Sequence, residues 1–215
     1  VPNEFRWTAL AALTSRAEDA SDPNLPLMYW YAMEPLADVD PKRALALGLS
    51  AGEKIPILKE YMIRRIGAGD PKKSLALLVE GLKDAKDDAT RLTFLRGMNE
   101  SLKGRKGVEV PAGWNELFIS LIETRNIELK MQLASGGAAL GDKLVIETLR
   151  RMVGDDNSSL QERREALKIL VRVQDVAAPE VFRFVLANKD LRGDAIRGLA
   201  AFDDPAAPAA ILALY

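Results

Sequence analysis

Apolar residues recur three and four positions apart along most of this chain. Leu75, Leu78, Val79 and Leu82 form one such stripe, and Leu160, Leu167, Leu170 and Val171 follow a similar one. That period places apolar side chains on one face of an α-helix, and no sustained alternation of period two marks a strand. The breaks between stripes carry capping chemistry. Asp22-Pro23, Asp40-Pro41, Asp70-Pro71 and Asp204-Pro205 each set a carboxylate that accepts from free backbone N–H groups before a residue with no N–H to leave unpaired. Ser159-Leu160-Gln161-Glu162 has the form of a capping box. Gly52, Gly69, Gly104, Gly141 and Gly154 stand where helices are expected to stop.

This pattern predicts about a dozen helices of roughly 10–16 residues joined by short turns. Successive helix pairs are expected to start near Asn3, Pro41, Pro71, Ala112, Asp142 and Ala177, spacings of about 30–40 residues that match the scale of helical repeats. Such pairs bury their apolar faces only by stacking on one another. The expected fold is therefore all-α, a HEAT-like α-α superhelix. It is a right-handed solenoid of about six antiparallel helix pairs, forming a single domain over residues 1–215. "KGRKGVEVPAG" (Lys103 to Gly113) is the longest polar connection, and "ASGGAALGD" (Ala134 to Asp142) is expected to end a helix at its paired glycines. Both read as internal to that domain. The chain opens on "VPNEFRWTAL" without Met and closes on Ile211, Leu212, Leu214 and Tyr215, so we expect a piece of a larger protein.

One stretch departs from the amphipathic pattern. "DPNLPLMYWYAMEPL" (Asp22 to Leu36) predicts a helix opened by Asp22 or Asn24 and interrupted at Pro35, whose ring clashes with the Tyr31 carbonyl. Its body is apolar or aromatic in every direction, which predicts burial on all sides. Glu34 then needs an arginine, a backbone N–H or water. Packing accounts for most helical aromatics, and lining a pocket or an interface is the alternative use of Tyr29, Trp30, Tyr31 and Glu34.

Composition narrows the chemistry. With 48% hydrophobic residues there is core enough for an autonomous fold. Thirty basic and 31 acidic residues give a net charge of −1, without the basic excess of a typical nucleic-acid binder. No apolar run approaches the roughly 20 residues of a membrane span. The chain has neither Cys nor His. Disulfides, thiolate or imidazole metal sites, His-ligated haem and Ser-His-Asp triads are excluded within it. The expected cofactor and metal content of the chain is none, and its catalytic residues none.

The remaining candidates are charge clusters. Arg150, Arg151, Arg163, Arg164, Lys168 and Arg172 lie on two adjacent predicted helices, and Lys103, Arg105 and Lys106 in a loop. They suit phosphate or an acidic partner surface, or a solvated face, since Glu147, Glu162 and Glu165 interleave them. The acid pairs Asp87-Asp88, Asp155-Asp156 and Asp203-Asp204 have the oxygen ligands a cation takes, but each precedes a helix, where carboxylates cap. "GAGDPKKS" lacks the glycine of a P-loop before Lys73-Ser74 and follows no strand.

"DPNLPLMYWYAMEPL", followed by "DPKRALAL" and "IPILKEYMIRRI", resembles the HEAT-like helical region of the planctomycete-type (PVC) haem-binding c-type cytochrome or membrane-bound dehydrogenase family. "NEFRWTALAAL" before it and "LRGDAIRGLAAFDDPAAPAAILALY" near the C-terminus look similar too, with a weaker match between. The resemblance implies a periplasmic or secreted multidomain parent with a sugar-dehydrogenase-like propeller and a cytochrome module bearing Cys-x-x-Cys-His. Haem is expected only in that separate module, and no catalytic residue of the family carries over. The function expected is a non-catalytic scaffold whose partners are neighbouring domains of the parent or another protein, with no nucleic acid and no membrane insertion. The alternative is a HEAT-like DNA-binding or DNA-repair glycosylase-type enzyme using Trp7, Trp30 and Trp114 with nearby acids.

Overall fold

The computed structural model describes residues 2–105 and 107–214. They are all-α, with fourteen α-helices, two 3-10 turns and no strand among the described residues. The chain divides into two compact units, Val1–Gly113 and Trp114–Tyr215, at the end of the long polar connection.

The first unit contains α1 (Asn3–Leu13), a 3-10 turn (Ala17–Ser21), α2 (Leu25–Met33), α3 (Leu36–Val39), α4 (Pro41–Ala51), α5 (Pro56–Gly67), α6 (Pro71–Asp84) and α7 (Asp88–Leu102). Its starts are written locally: Asp40, Asp70 and Asp87 accept from the backbone N–H groups of Arg43, Lys73 and Thr90. "GAGDPKKS" is thus a helix stop followed by a capped start. α5 is the centre of this unit and touches α2, α3, α4, α6 and α7. Leu58, Met62 and Ile63 on α5 are wholly buried. α7 reaches α5 through Gly97, where an added Cβ would lie 2.5 Å from Ile63 Cγ2. The missing side chain is what lets the two helices come this close.

The second unit contains α8 (Trp114–Leu121), α9 (Ile127–Ala139), α10 (Lys143–Gly154), α11 (Leu160–Arg172), α12 (Ala178–Phe184), a 3-10 turn (Val185–Ala187), α13 (Arg192–Leu199) and α14 (Ala207–Leu212). α9 meets α11 and α11 meets α13, while α10 meets α12 and α12 meets α14. The Ser159–Glu162 capping box forms as expected. Helices α12, α13 and α14 run for 7, 8 and 6 residues, shorter than the periodicity predicts. Across both units, the helix starts predicted at Asn3, Pro41, Pro71, Ala112, Asp142 and Ala177 are observed at Asn3, Pro41, Pro71, Trp114, Lys143 and Ala178.

Two expectations need correction. Gly136 and Gly137 do not end a helix; α9 runs through them to Ala139. Gly137 is buried, and a Cβ there would lie 2.5 Å from Val145 Cγ2 and 3.1 Å from the Trp114 indole nitrogen. The helix ends instead through Gly141, whose φ of +71° favours glycine. α2 is also not buried on all sides. Pro26, Tyr29 and Met33 face inward, but Leu27, Met28 and Tyr31 are exposed. α2 packs on α1, α5 and the first 3-10 turn, and these cover only one face.

A Gly97→Ala variant tests the α5–α7 contact. Alanine favours an isolated helix by about 1 kcal/mol, but here its methyl meets a stiff β-branched side chain. Urea denaturation is expected to show a net loss of about 1–3 kcal/mol.

Candidate functional site

α2 owes its position to three local devices. The Asp22 carboxylate accepts from the backbone N–H groups of Asn24 and Leu25 at 2.8 and 2.9 Å, fixing its start. The bonds from Leu25 and Asn24 hold the Asp22 carboxyl below its ordinary range. The break before Leu36 falls at Pro35. Between them the Tyr29 hydroxyl donates to Asp19 at 2.7 Å, which satisfies a phenol whose ring is buried. That bond raises the Tyr29 pKa.

The opposite side of α2 borders an open groove of about 540 Å³ within the first unit. α2 contributes Leu27, Trp30 and Tyr31. α5 contributes Tyr61, Arg64 and Arg65, and Glu100 and Ser101 come from α7. Trp30 is half-buried and meets Tyr61 edge to face, with ring centroids 5.3 Å apart. Tyr31 stands 67% exposed and Met28 62% exposed.

The charges in the groove are unequally satisfied. Arg65 pairs with Glu34, Nε to Oε1 at 3.3 Å, and also with Asp38. Glu34 thus finds the arginine it requires. Glu100 accepts from Lys103 at 2.6 Å. That bond holds the Glu100 carboxyl below its usual range, with a weaker pull from Arg64. Arg64 is exposed and makes no hydrogen bond or salt bridge among the described residues.

The aromatic stretch therefore divides. Trp30 and Tyr31 line the groove, Glu34 orients Arg65 beside it, and Tyr29 belongs to the core. Sequence reasoning missed Tyr61, Arg64 and Arg65, which occupy the outer side of α5 at helical spacing. A tyrosine three residues before paired arginines was the available signal.

The basic cluster of the second unit does different work. Arg150 donates from Nε to Asp175 at 2.7 Å in a two-pronged pair, and that bond raises the Arg150 pKa. Arg163 is buried and donates to the Val153 carbonyl at 2.9 Å and to Asp156 at 2.7 Å. Arg164 donates to Asp194 and to the Asp190 carbonyl, each at 2.9 Å. Arg151 is exposed and reaches Thr148 rather than Glu147. Lys168 pairs with Glu165, and Arg172 donates to Ser135. Arg150, Arg163, Arg164 and Arg172 stitch neighbouring helices and turns together, while Arg151 and Lys168 bond within their own helices.

The loop bases behave similarly: Arg105 donates to the Ala68 and Gly69 carbonyls beyond the end of α5, and Lys106 lies outside the described residues. The acid pairs also make local bonds. Asp87 caps α7, Asp155 accepts from Asn157 and Ser158, and Asp204 accepts from Ala206. Trp7 is buried with the Arg43 guanidinium 4.5 Å from its ring centroid, and Trp114 is wholly buried.

No model of a known protein family matches the chain, and no curated protein matches it.

The Lys130–Glu162 pair yields a pH prediction. Burial alone would raise the Glu162 carboxyl, but hydrogen bonds from Lys130, at 2.6 Å, and from Ser159 bring it below its ordinary value. The unfolded chain therefore takes up this proton first as pH falls. The stabilisation is complete above the unfolded pKa, near 4.3, and disappears as pH falls through the folded value. Glu162→Gln should cost about 2 kcal/mol at pH 7, with the difference from the parent chain shrinking as pH falls below about 4. Paired urea titrations across that range measure it.

Proposed function

We propose that this chain is a HEAT-like helical-repeat module that binds another protein segment through the outward side of α2. The observation that carries this reading is the exposed run of Leu27, Met28 and Tyr31 beside Trp30 and the arginines of α5. Apolar residues scattered singly on a surface need no explanation, whereas a contiguous set bordering a groove marks a contact site. Tyrosine, tryptophan and arginine are the residues that anchor protein interfaces most often.

The repeat reading draws support from the second unit. Asp175-Val176-Ala177-Ala178-Pro179 and Asp204-Pro205-Ala206-Ala207-Pro208 share one pattern. In each, the Asp carbonyl accepts from the second alanine, at 3.0 and 3.1 Å. Each Asp side chain accepts from an arginine two helices back, Arg150 on α10 for Asp175 and Arg183 on α12 for Asp204. The recurrence of turn, ion pair and helix order is what stacked helix pairs require.

In this reading the chain is a spacer with no chemistry of its own. The resemblance to the PVC haem-binding family makes a neighbouring domain of an extracytoplasmic electron-transfer protein the first partner to examine. Haem would belong to such a domain.

Photocrosslinking tests the role. Benzoylphenylalanine replacing Tyr31, in the protein as its source organism makes it, should yield adducts that map to one polypeptide segment. The same group replacing Lys72, exposed on α6, should yield few. Equal labelling, or none at Tyr31, would contradict the proposal. Tight binding of an abasic DNA duplex would instead support the glycosylase-type alternative.

A further inference from the structure

We infer that the groove between α2, α5 and α7 takes a linear acidic peptide, with a carboxylate on Arg64 and a neighbouring apolar or aromatic side chain against Trp30, Tyr31 and Tyr61. This rests on the interaction reading above and specifies its ligand.

Charge decides the polar end. Arg65 is already shared by Glu34 and Asp38, and Glu100 is already held by Lys103. Arg64 has no such contact among the described residues, so its fork of N–H donors is open to a ligand. A guanidinium presents parallel donors that match a carboxylate in two-pronged geometry. The nearby Glu100 carboxylate, weakly coupled to Arg64, disfavours a polyanion and suits a single acid.

Shape decides the rest. The groove holds about 540 Å³, room for a few side chains, and it is open along one side. A small molecule is usually enclosed over most of its surface, which an open groove does not provide. A chain segment instead continues past the opening onto Leu27, Met28 and Tyr31. Trp30 and Tyr61 support each other edge to face, so the aromatic wall is set before a ligand arrives. A preordered wall lowers the entropy cost of capture.

The test is phage selection of random dodecapeptides on the whole chain, with parallel selections on the Arg64→Glu and Trp30→Ala variants. Both sites lie at the surface or half-buried, and circular dichroism with urea denaturation checks that each variant folds. Arg64→Gln serves if Arg64→Glu does not fold, and Trp30→Phe serves for Trp30→Ala. The expected outcome is enrichment of peptides carrying Asp or Glu within a few residues of an aromatic or large aliphatic residue. Synthetic versions should lose at least tenfold in affinity on Arg64→Glu and on Trp30→Ala. Enriched peptides without an acid that still depend on Trp30 would overturn the acidic-ligand inference and leave the interaction reading standing. Basic peptides favoured equally by the parent and Arg64→Glu would overturn the inference as well. No peptide dependent on Trp30 or Arg64 would count against both.

Discussion

The hydrogen bond from the Tyr29 hydroxyl to Asp19 sets which way α2 faces. Every side of this helix is apolar or aromatic, so hydrophobicity alone leaves its rotation undetermined. Turning Tyr29 inward buries its ring while its hydroxyl reaches the half-buried Asp19 carboxylate near the surface, so one rotation meets both the apolar and the polar need of this side chain. With Tyr29 turned inward, Pro26 and Met33 follow it at helical spacing, and Leu27, Met28 and Tyr31 turn outward. The groove, the exposed stripe and the position of Trp30 against Tyr61 all depend on that choice.

α5 supplies the other half of the arrangement. One side of it forms the core of the first unit through Leu58, Met62 and Ile63, and the other presents Tyr61, Arg64 and Arg65. Close seating of α7 at Gly97 brings Glu100 and Ser101 to the groove. Glu34, Asp38 and Lys103 then divide the remaining charges so that Arg64 keeps its donors unspent. The second unit uses arginine differently. Arg150, Arg164 and Arg183 each close a distance between helices and turns, and Asp194 serves Arg197 as well as Arg164.

What was legible in the sequence was local. Asp40, Asp70 and the Ser159–Glu162 box act within three residues of themselves, so their patterns announced the helix starts. The stripe Leu75, Leu78, Val79 and Leu82 is buried as its spacing predicts. What was hidden depended on distant residues. The arginines read as one cluster because Asp175 and Asp194 lie well along the chain from Arg150 and Arg164. Gly136 and Gly137 read as a stop because the packing of Val145 and Trp114 against α9 is not written in their own neighbourhood. Half of the candidate site was visible as the aromatic stretch. The α5 half was not, since its tyrosine and arginines look like an ordinary polar face until α2 is placed beside them.

Hydroxyl-radical footprinting of Met28 and Tyr31 tests the central claim most directly. Both side chains are about two-thirds exposed in the isolated chain and should oxidise rapidly there. In the protein recovered intact from its source, a partner segment lying on α2 should slow oxidation of both severalfold, while an exposed reference such as Phe184 keeps its rate. Equal oxidation of Met28 and Tyr31 in the two samples would contradict the claim that this face is a binding surface.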